Sequence, residues 1–375
     1  MKLKQKISFY FTSFWNRSDK VSNLSFLEKT LFIFLIFIEK IYIVCFKTVS
    51  FFKKKLGNKR VPFKVISVGN LSVGGTGKSV FIQFLAKNLK QSCAVITRGY
   101  GATFEKKSNS TIVENGEETF FTAKEVGDEP YMLAKNLKIP VVVGKNRFNS
   151  AKLLQLNFSF ISTILLDDAY QNYSLKKDFE ILLLDARKPF GNNHCLPAGI
   201  LREKDISRAD VIIFTHADKI KDINNLSKIS DKPIFFGRHK TSKILLLGDK
   251  EIDSVKLKDN KFLVFAGIGK FNYFIESIKK LNLNVVKKIE YPDHHHFSQQ
   301  DLRNILDVFK QSYCDCIITT SKDWVKILPL LKSIKDWQRL PIYVLEVEFE
   351  FLNNKEKIKF LNLIETIFIE GGGKK

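Results

Sequence analysis

Acidic residues are scarce relative to basic ones: 39 Asp and Glu stand against 61 Lys and Arg, leaving a formal charge of +22 over 375 residues. Because the basic residues are scattered, they form a solvated surface or attract an anionic partner: nucleic acid, anionic lipid headgroups or a phosphorylated substrate. No recognisable nucleic-acid motif with interleaved aromatics is present, so that first partner rests on charge alone and is not expected. Cysteine is also sparse. Cys45, Cys93, Cys195, Cys314 and Cys316 show neither metal-ligand spacing nor a disulfide framework, as for thiols in a reducing compartment. No internal repeat is visible.

An uninterrupted apolar run of the about 20 residues that a spanning helix needs is missing as well. The nearest approach, Thr30 to Phe46 (TLFIFLIFIEKIYIVCF), is broken by Glu39 and Lys40. No small-residue cleavage site follows it, which argues against a removable signal peptide. The run could be a buried core helix. The basic residues that follow, Lys53, Lys54, Lys55, Lys59 and Arg60, favour contact with a membrane, whether spanning it or lying in its interface.

What is present is globular: 45% apolar and 27% charged residues. Short apolar strands alternate with amphipathic stretches, predicting an α/β chain with a largely parallel sheet. Strands are expected at Val65–Val68, Ala94–Thr97, Pro140–Val143, Ile161–Leu166, Glu180–Leu184, Val211–Phe214 and Pro233–Phe236. A second block follows at about Phe262, Val285–Ile289, Cys316–Thr319 and Ile342–Val347, with a helix from Ser298 to Gln311. The expected division is an N-terminal membrane-associated helix and basic flank (1–60), a P-loop domain (61–240) and a smaller α/β domain (241–375), the boundary falling in the polar segment 237–260. The closing Glu370-Gly-Gly-Gly-Lys-Lys tail carries no functional signal.

Strand Val65–Val68 runs into Ser72, Val73, Gly74, Gly75, Thr76, Gly77, Lys78 and Ser79, then a helix from about Val80. This follows G-x-x-x-x-G-K-[ST], except that Ser72 replaces the first glycine. Glycines let successive N–H groups turn toward phosphate oxygens, and the helix N-terminus adds its positive dipole end. Lys78 would reach the β- and γ-phosphates and Ser79 would ligate Mg²⁺. The first glycine eases the turn but contacts phosphate little, so Ser72 is tolerable and the site binds a nucleoside triphosphate. Asp167 and Asp168, at the end of the strand from Ile161, are placed to serve the metal.

Three further clusters point to phosphoryl transfer. Thr97-Arg98-Gly99-Tyr100-Gly101 would present Arg98 to the phosphates, and Gly127-Asp128-Glu129-Pro130 sets two carboxylates before a helix. Tyr291-Pro-Asp-His-His-His-Phe297 gathers three of the six histidines. Zinc binding is one reading of that loop; a carboxylate–His base dyad suits transfer to a hydroxyl better. A GTPase switch is the competing class, since Thr215–Asp218 and Thr320–Asp323 each partly imitate the guanine-reading [NT]-K-x-D pattern.

Taken in order, VGNLSVGGTGKS, TRGYGA, VGDEP, LLDDAYQN, FGNNHCLPAGILRE, FAGIGK and YPDHHHF make residues 30 to 325 resemble the tetraacyldisaccharide 4′-kinases of lipid A biosynthesis. In that family the position of Ser72 also carries a small hydroxyl residue, and the hydrophobic N-terminal helix serves at the inner membrane. The resemblance implies transfer of the ATP γ-phosphate to the 4′-hydroxyl of an acylated glucosamine disaccharide 1-phosphate, at the cytoplasmic face of the bacterial inner membrane with its anionic lipids. It implies Asp128 as catalytic base and His294 as its partner. Ser79 and Asp167 would organise Mg²⁺, supported by Glu129 and Asp168. Arg98, Arg147, Gln171 and Arg202 would position phosphate or substrate. The chain departs from the family at Ala102 and Ala169, where glycine is commoner, and in the histidines after His294.

Overall fold

A computed structural model describes residues 14–15, 18, 24–100, 102–106, 110–114, 121–220, 222–293 and 295–369. One 13-stranded sheet runs through both halves of the chain. The first half supplies β1 (Lys64–Gly69), β2 (Cys93–Thr97), β3 (Thr111–Glu114), β4 (Val141–Val143), β5 (Thr163–Asp167), β6 (Phe179–Asp185) and β7 (Val211–Thr215). β8 (Ile234–Leu246) and β9 (Lys250–Ile252) lie at the junction, followed by β10 (Lys261–Ala266), β11 (Asn284–Glu290), β12 (Cys316–Thr320) and β13 (Ile342–Phe351). Their order is β11-β10-β12-β13-β8-β7-β6-β1-β5-β2-β4-β3, with β9 paired to β8. Strands β1, β2, β5 and β7 are almost wholly buried and rich in Val, Ile and Leu, as expected where helices cover both faces of a parallel sheet. β1 lies between β5 and β6, and its register sets Val68 opposite Asp167. The loops leaving β1 and β5 therefore open side by side.

Several elements escape the sequence pattern. β3 is a short antiparallel edge strand. β8 runs ten residues past Phe236, pairing with β7 in parallel through Phe236 and with β13 antiparallel from Gly237. Arg238, His239 and Lys240 give that extension no apolar signal, so a strand reads as a polar linker. The expected boundary at 240/241 thus falls inside β8. The last helix also returns to the first half: Phe360, Ile364 and Ile367 of the segment Asn354–Ile369 share a core with Phe81, Leu85 and Ile181. Phe81 meets Phe349 of β13 edge-on at 4.8 Å and Phe360 at 5.8 Å.

Helix α1 (Phe26–Leu56) begins at a capping box in which Ser25 and Glu28 satisfy each other's backbone N–H. Phe32, Leu35 and Glu39 are buried, whereas Ile33, Phe34, Phe37, Ile41 and Val44 on the opposite face are more than half exposed. Among the described residues no helix is long and apolar enough to cross a membrane. The spanning alternative for the N-terminal membrane helix is therefore unsupported. All five cysteines are free.

Candidate active site

The glycine-rich segment after β1 turns into helix α2 (Lys78–Asn88) with Gly77 as its N-cap, at φ +85°. A side chain at Gly77 would be strained by that φ and would also meet the His239 imidazole at 2.2 Å. Ser72 settles the spelling anomaly structurally: it forms a bridge with Leu201 in extended conformation, where no glycine is required. Val73 N–H donates to Ile200 O at 2.8 Å, and Arg202 N–H donates to Leu71 O at 2.7 Å. The far wall is fixed by Thr215, whose hydroxyl donates to Thr76 O at 3.2 Å.

At the end of β5, Asp167 is 2% exposed and accepts from the Thr97 hydroxyl at 3.0 Å. Its other oxygen, Oδ1, has no hydrogen-bond partner among the described residues. Burial, with Glu129 and Asp168 nearby, pushes its pKa up to about 6. Asp168 follows at φ +48° and behaves oppositely. Burial would raise its pKa, but Lys78 and Arg202 outweigh that and bring it down to about 2. Lys78 Nζ lies 3.4 Å from its carboxylate and Arg202 Nη1 3.1 Å. Arg202 also donates to Gln171 Oε1 at 3.1 Å, and Gln171 in turn donates to Asn70 O and Glu203. Asp168 is thus the charge partner of Lys78 and Arg202, and Asp167 carries the open oxygen. Ser79, 5% exposed, sits in the first turn of α2.

Arg147 opens the helix Arg147–Asn157. It is 2% exposed and donates to Gly144 O at 2.6 Å and Asp167 O at 3.1 Å. Burial lowers its pKa to about 10, and the nearby aspartates oppose that shift. It braces the ends of β4 and β5 from behind instead of presenting its guanidinium to a ligand. Arg98 is on the exposed side of the turn after β2.

Asp128 and Glu129 open helix α3 (Asp128–Leu137). Each meets a lysine from helix α4 (Ser321–Leu331) of the second half: Lys326 Nζ is 3.1 Å from Asp128, and Lys322 pairs with Glu129. Burial would lower the Lys322 pKa, but Glu129 and its hydrogen bond raise it. Lys326 is also held by the fully buried Asp323 at 3.3 Å. Asp323 further accepts from Gly267 N–H and the Thr320 hydroxyl, so it is committed to the fold and unavailable to read a guanine.

His294 lies outside the described residues. Its neighbour His295 stacks on Tyr291 at 4.7 Å and bonds Asp301 at 3.2 Å, bracing the helix that starts at Gln299. Among the described residues no group of three or more His, Cys, Asp or Glu could hold a metal by itself. Beside Gly77 lies a histidine pair that no motif signals. His216 and His239 meet edge-to-face at 4.4 Å, and burial pushes them down to about 3 and about 4, so both are neutral near pH 7.

A phosphate-binding loop, a strand-end carboxylate with an open oxygen and a carboxylate pair approached from a second half together define a nucleotide-dependent phosphotransferase. The chain belongs to the tetraacyldisaccharide-1-P 4′-kinase family (LpxK), whose family model matches residues 31–365. It is 34% identical to a tetraacyldisaccharide 4′-kinase of Desulfatibacillum aliphaticivorans, over 78% of this chain and 81% of that one. With the kinase of Pelobacter propionicus the identity is 35%, over 74% and 78%. The solved structure of LpxK from Aquifex aeolicus, an "apo" form in complex with ATP, superposes with a TM-score of 0.73 at 29% identity, covering 90% of this chain and 99% of that one.

Proposed function

We propose that this kinase transfers the γ-phosphate of ATP to the 4′-hydroxyl of a tetraacylated glucosamine disaccharide 1-phosphate. The observation that carries the reading is the meeting of Lys78, Asp168 and Arg202 with Asp167 at one sheet end, facing Asp128 and Glu129. Lys78 holds the β- and γ-phosphates, and Arg202 with Gln171 sets their orientation. Asp128, ion-paired with Lys326, accepts the acceptor's proton with His294 as its partner. Because the transition state for phosphoryl transfer is loose, positioning and charge outweigh base strength, so an ion-paired carboxylate suffices.

Mg²⁺ fits the donor set here. The open Oδ1 of Asp167 and the neighbouring carboxylates of Glu129 and Asp168 both favour a cation beside it. Asp167 and Ser79 would hold the ion, and Glu129 would support it. When bound, it would neutralise charge on the β- and γ-phosphates.

The acceptor's acyl chains stay in a bilayer, so the enzyme must come to it. In our reading α1 lies in the interface at the cytoplasmic face of the inner membrane, its exposed Phe34 and Phe37 among the acyl chains. Lys53, Lys54 and Lys55 of its last turn would face anionic headgroups.

The test is single-turnover transfer from labelled ATP to the disaccharide 1-phosphate in detergent micelles, for wild type, Asp128→Ala, His294→Ala and the double variant. Expected are transfer by wild type, large losses in each single variant at near-normal ATP affinity, and a double variant little worse than the poorer single. GTP hydrolysis by wild type without lipid phosphorylation would overturn the kinase reading, and wild-type rates in both single variants would overturn the dyad.

A further inference from the structure

Glu39 sits mid-helix in an otherwise apolar stretch and is 4% exposed. A buried carboxylate without partners costs several kcal/mol, so its retention needs a physical reason. Both oxygens are satisfied by one loop of the kinase core. Oε2 lies 2.6 Å from His194 Nδ1, and Oε1 accepts the Cys195 N–H at 2.5 Å. One turn further on, the Tyr42 hydroxyl donates to the backbone carbonyl of Arg202 at 3.0 Å. Phe32 packs edge-on against His194 at 5.2 Å, and Trp15 Nε1–H donates to Pro197 O at 3.0 Å.

The loop that α1 grips also carries the reacting end of the site. Its Ile200 carbonyl accepts from Val73 at the entry of the phosphate loop, and Arg202 N–H is bonded to Leu71 O. The Arg202 side chain reaches Asp168 and Gln171. Only two hydrogen-bonded links therefore separate the lipid-directed helix from the charge partner of Lys78.

We propose that Glu39 and Tyr42 are positioning residues of the kinase reaction, which fix the 194–202 loop and through it Arg202 and the entry of the phosphate loop. The inward face of α1 thereby sets catalysis, while its outward apolar face is left for lipid. This rests on the kinase reading and extends it to a segment whose ordinary task would be anchoring alone. It also explains the break in the apolar run: Glu39 faces the protein, where its partners are.

The test uses full-length enzyme in detergent micelles, with labelled ATP and the disaccharide 1-phosphate, for Glu39→Ala, Glu39→Gln and Tyr42→Phe, each alone and combined with Arg202→Ala. A small misplacement of a positioning group costs about tenfold in rate, so Glu39→Ala and Tyr42→Phe should each lower kcat by about that factor. Glu39→Gln, which can still accept from Cys195 N–H, should lose less. Co-sedimentation with anionic vesicles should match wild type in all three. In the Arg202→Ala background each substitution should add less than about a twofold loss, because the path to the site is already cut. Losses that multiply in full in that background would overturn the proposal, as would wild-type kcat in the singles. Should Glu39→Ala fail to fold, Tyr42→Phe, which removes one hydroxyl, carries the same comparison. Wild-type enzyme that transfers no phosphate to the disaccharide would instead strike the kinase reading itself.

Discussion

The two halves that face each other across the site are built on different principles. In the proposed site the first half holds phosphate with main chain, a glycine-rich turn and a helix N-terminus, beside carboxylates at strand ends, all fixed by the parallel sheet. The second half reaches across with side chains alone, Lys326 to Asp128, Lys322 to Glu129 and Lys270 to Asp185 at 2.9 Å. Main-chain sites are rigid and demand particular residues. Side-chain bridges can be made and released, as closure around a nucleotide requires. Asp185 shows how strong such a bridge is: burial would raise its pKa, but Arg187 and Lys270 hold it well below the usual carboxylate range.

The first way to break the comparison is to disable the main-chain half at the lysine that opens its helix. Lys78→Ala should slow transfer by about 10²-fold or more, since electrostatic positioning dominates this chemistry. Turnover near wild type would end the assignment of the phosphate loop.

A smaller, pH-dependent effect is expected at Asp167. Its folded pKa of about 6 lies above the ordinary 3.8, so the folded state favours the neutral acid. Without metal, the stability this group contributes is present below about pH 4 and is lost as pH rises toward about 6. Mg²⁺ takes the ionised form, so its stabilisation of the protein should be slight at about pH 5 and grow above about pH 6. Thermal melting with and without Mg²⁺ at the two pH values checks this. Equal Mg²⁺ shifts at both, or a full shift in Asp167→Asn, would remove Asp167 from the metal site.

The smallest effect on chemistry should come from the outer face of α1. Phe34→Ser with Phe37→Ser should weaken vesicle co-sedimentation while leaving kcat in micelles within about twofold, because both side chains are mostly exposed. Unchanged vesicle binding would move the membrane contact elsewhere on the basic surface.

What was legible in the sequence follows the same division. The phosphate loop, Asp167, Asp168 and the Asp128–Glu129 pair could be read because glycines and carboxylates at strand and helix ends are demanded by backbone geometry. Most parallel strands could be read from their buried Val and Ile runs. The extension of β8 could not, since a strand that alternates Arg238, His239 and Lys240 has no hydrophobic period. The return of the last helix to the first core was equally hidden: Phe360 and Ile364 declare an apolar face but not its partner. The bracing contacts of Arg147 were not legible, because a guanidinium near a phosphate loop reads alike whether it points into the site or holds strand ends. Lys322 and Lys326 were lost among 61 basic residues, and only the fold distinguishes them.

The claim that the site is completed across the two halves rests on the 3.1 Å pair between Lys326 and Asp128. The most direct test is a double-mutant cycle on these residues, with Asp128→Ala, Lys326→Ala and the double variant assayed by single-turnover transfer to the disaccharide 1-phosphate. Groups in one charge network couple by about 0.5–3 kcal/mol, so the double variant should be markedly faster than the product of the single losses predicts. Losses that multiply cleanly would show that the two groups act independently and would contradict the account.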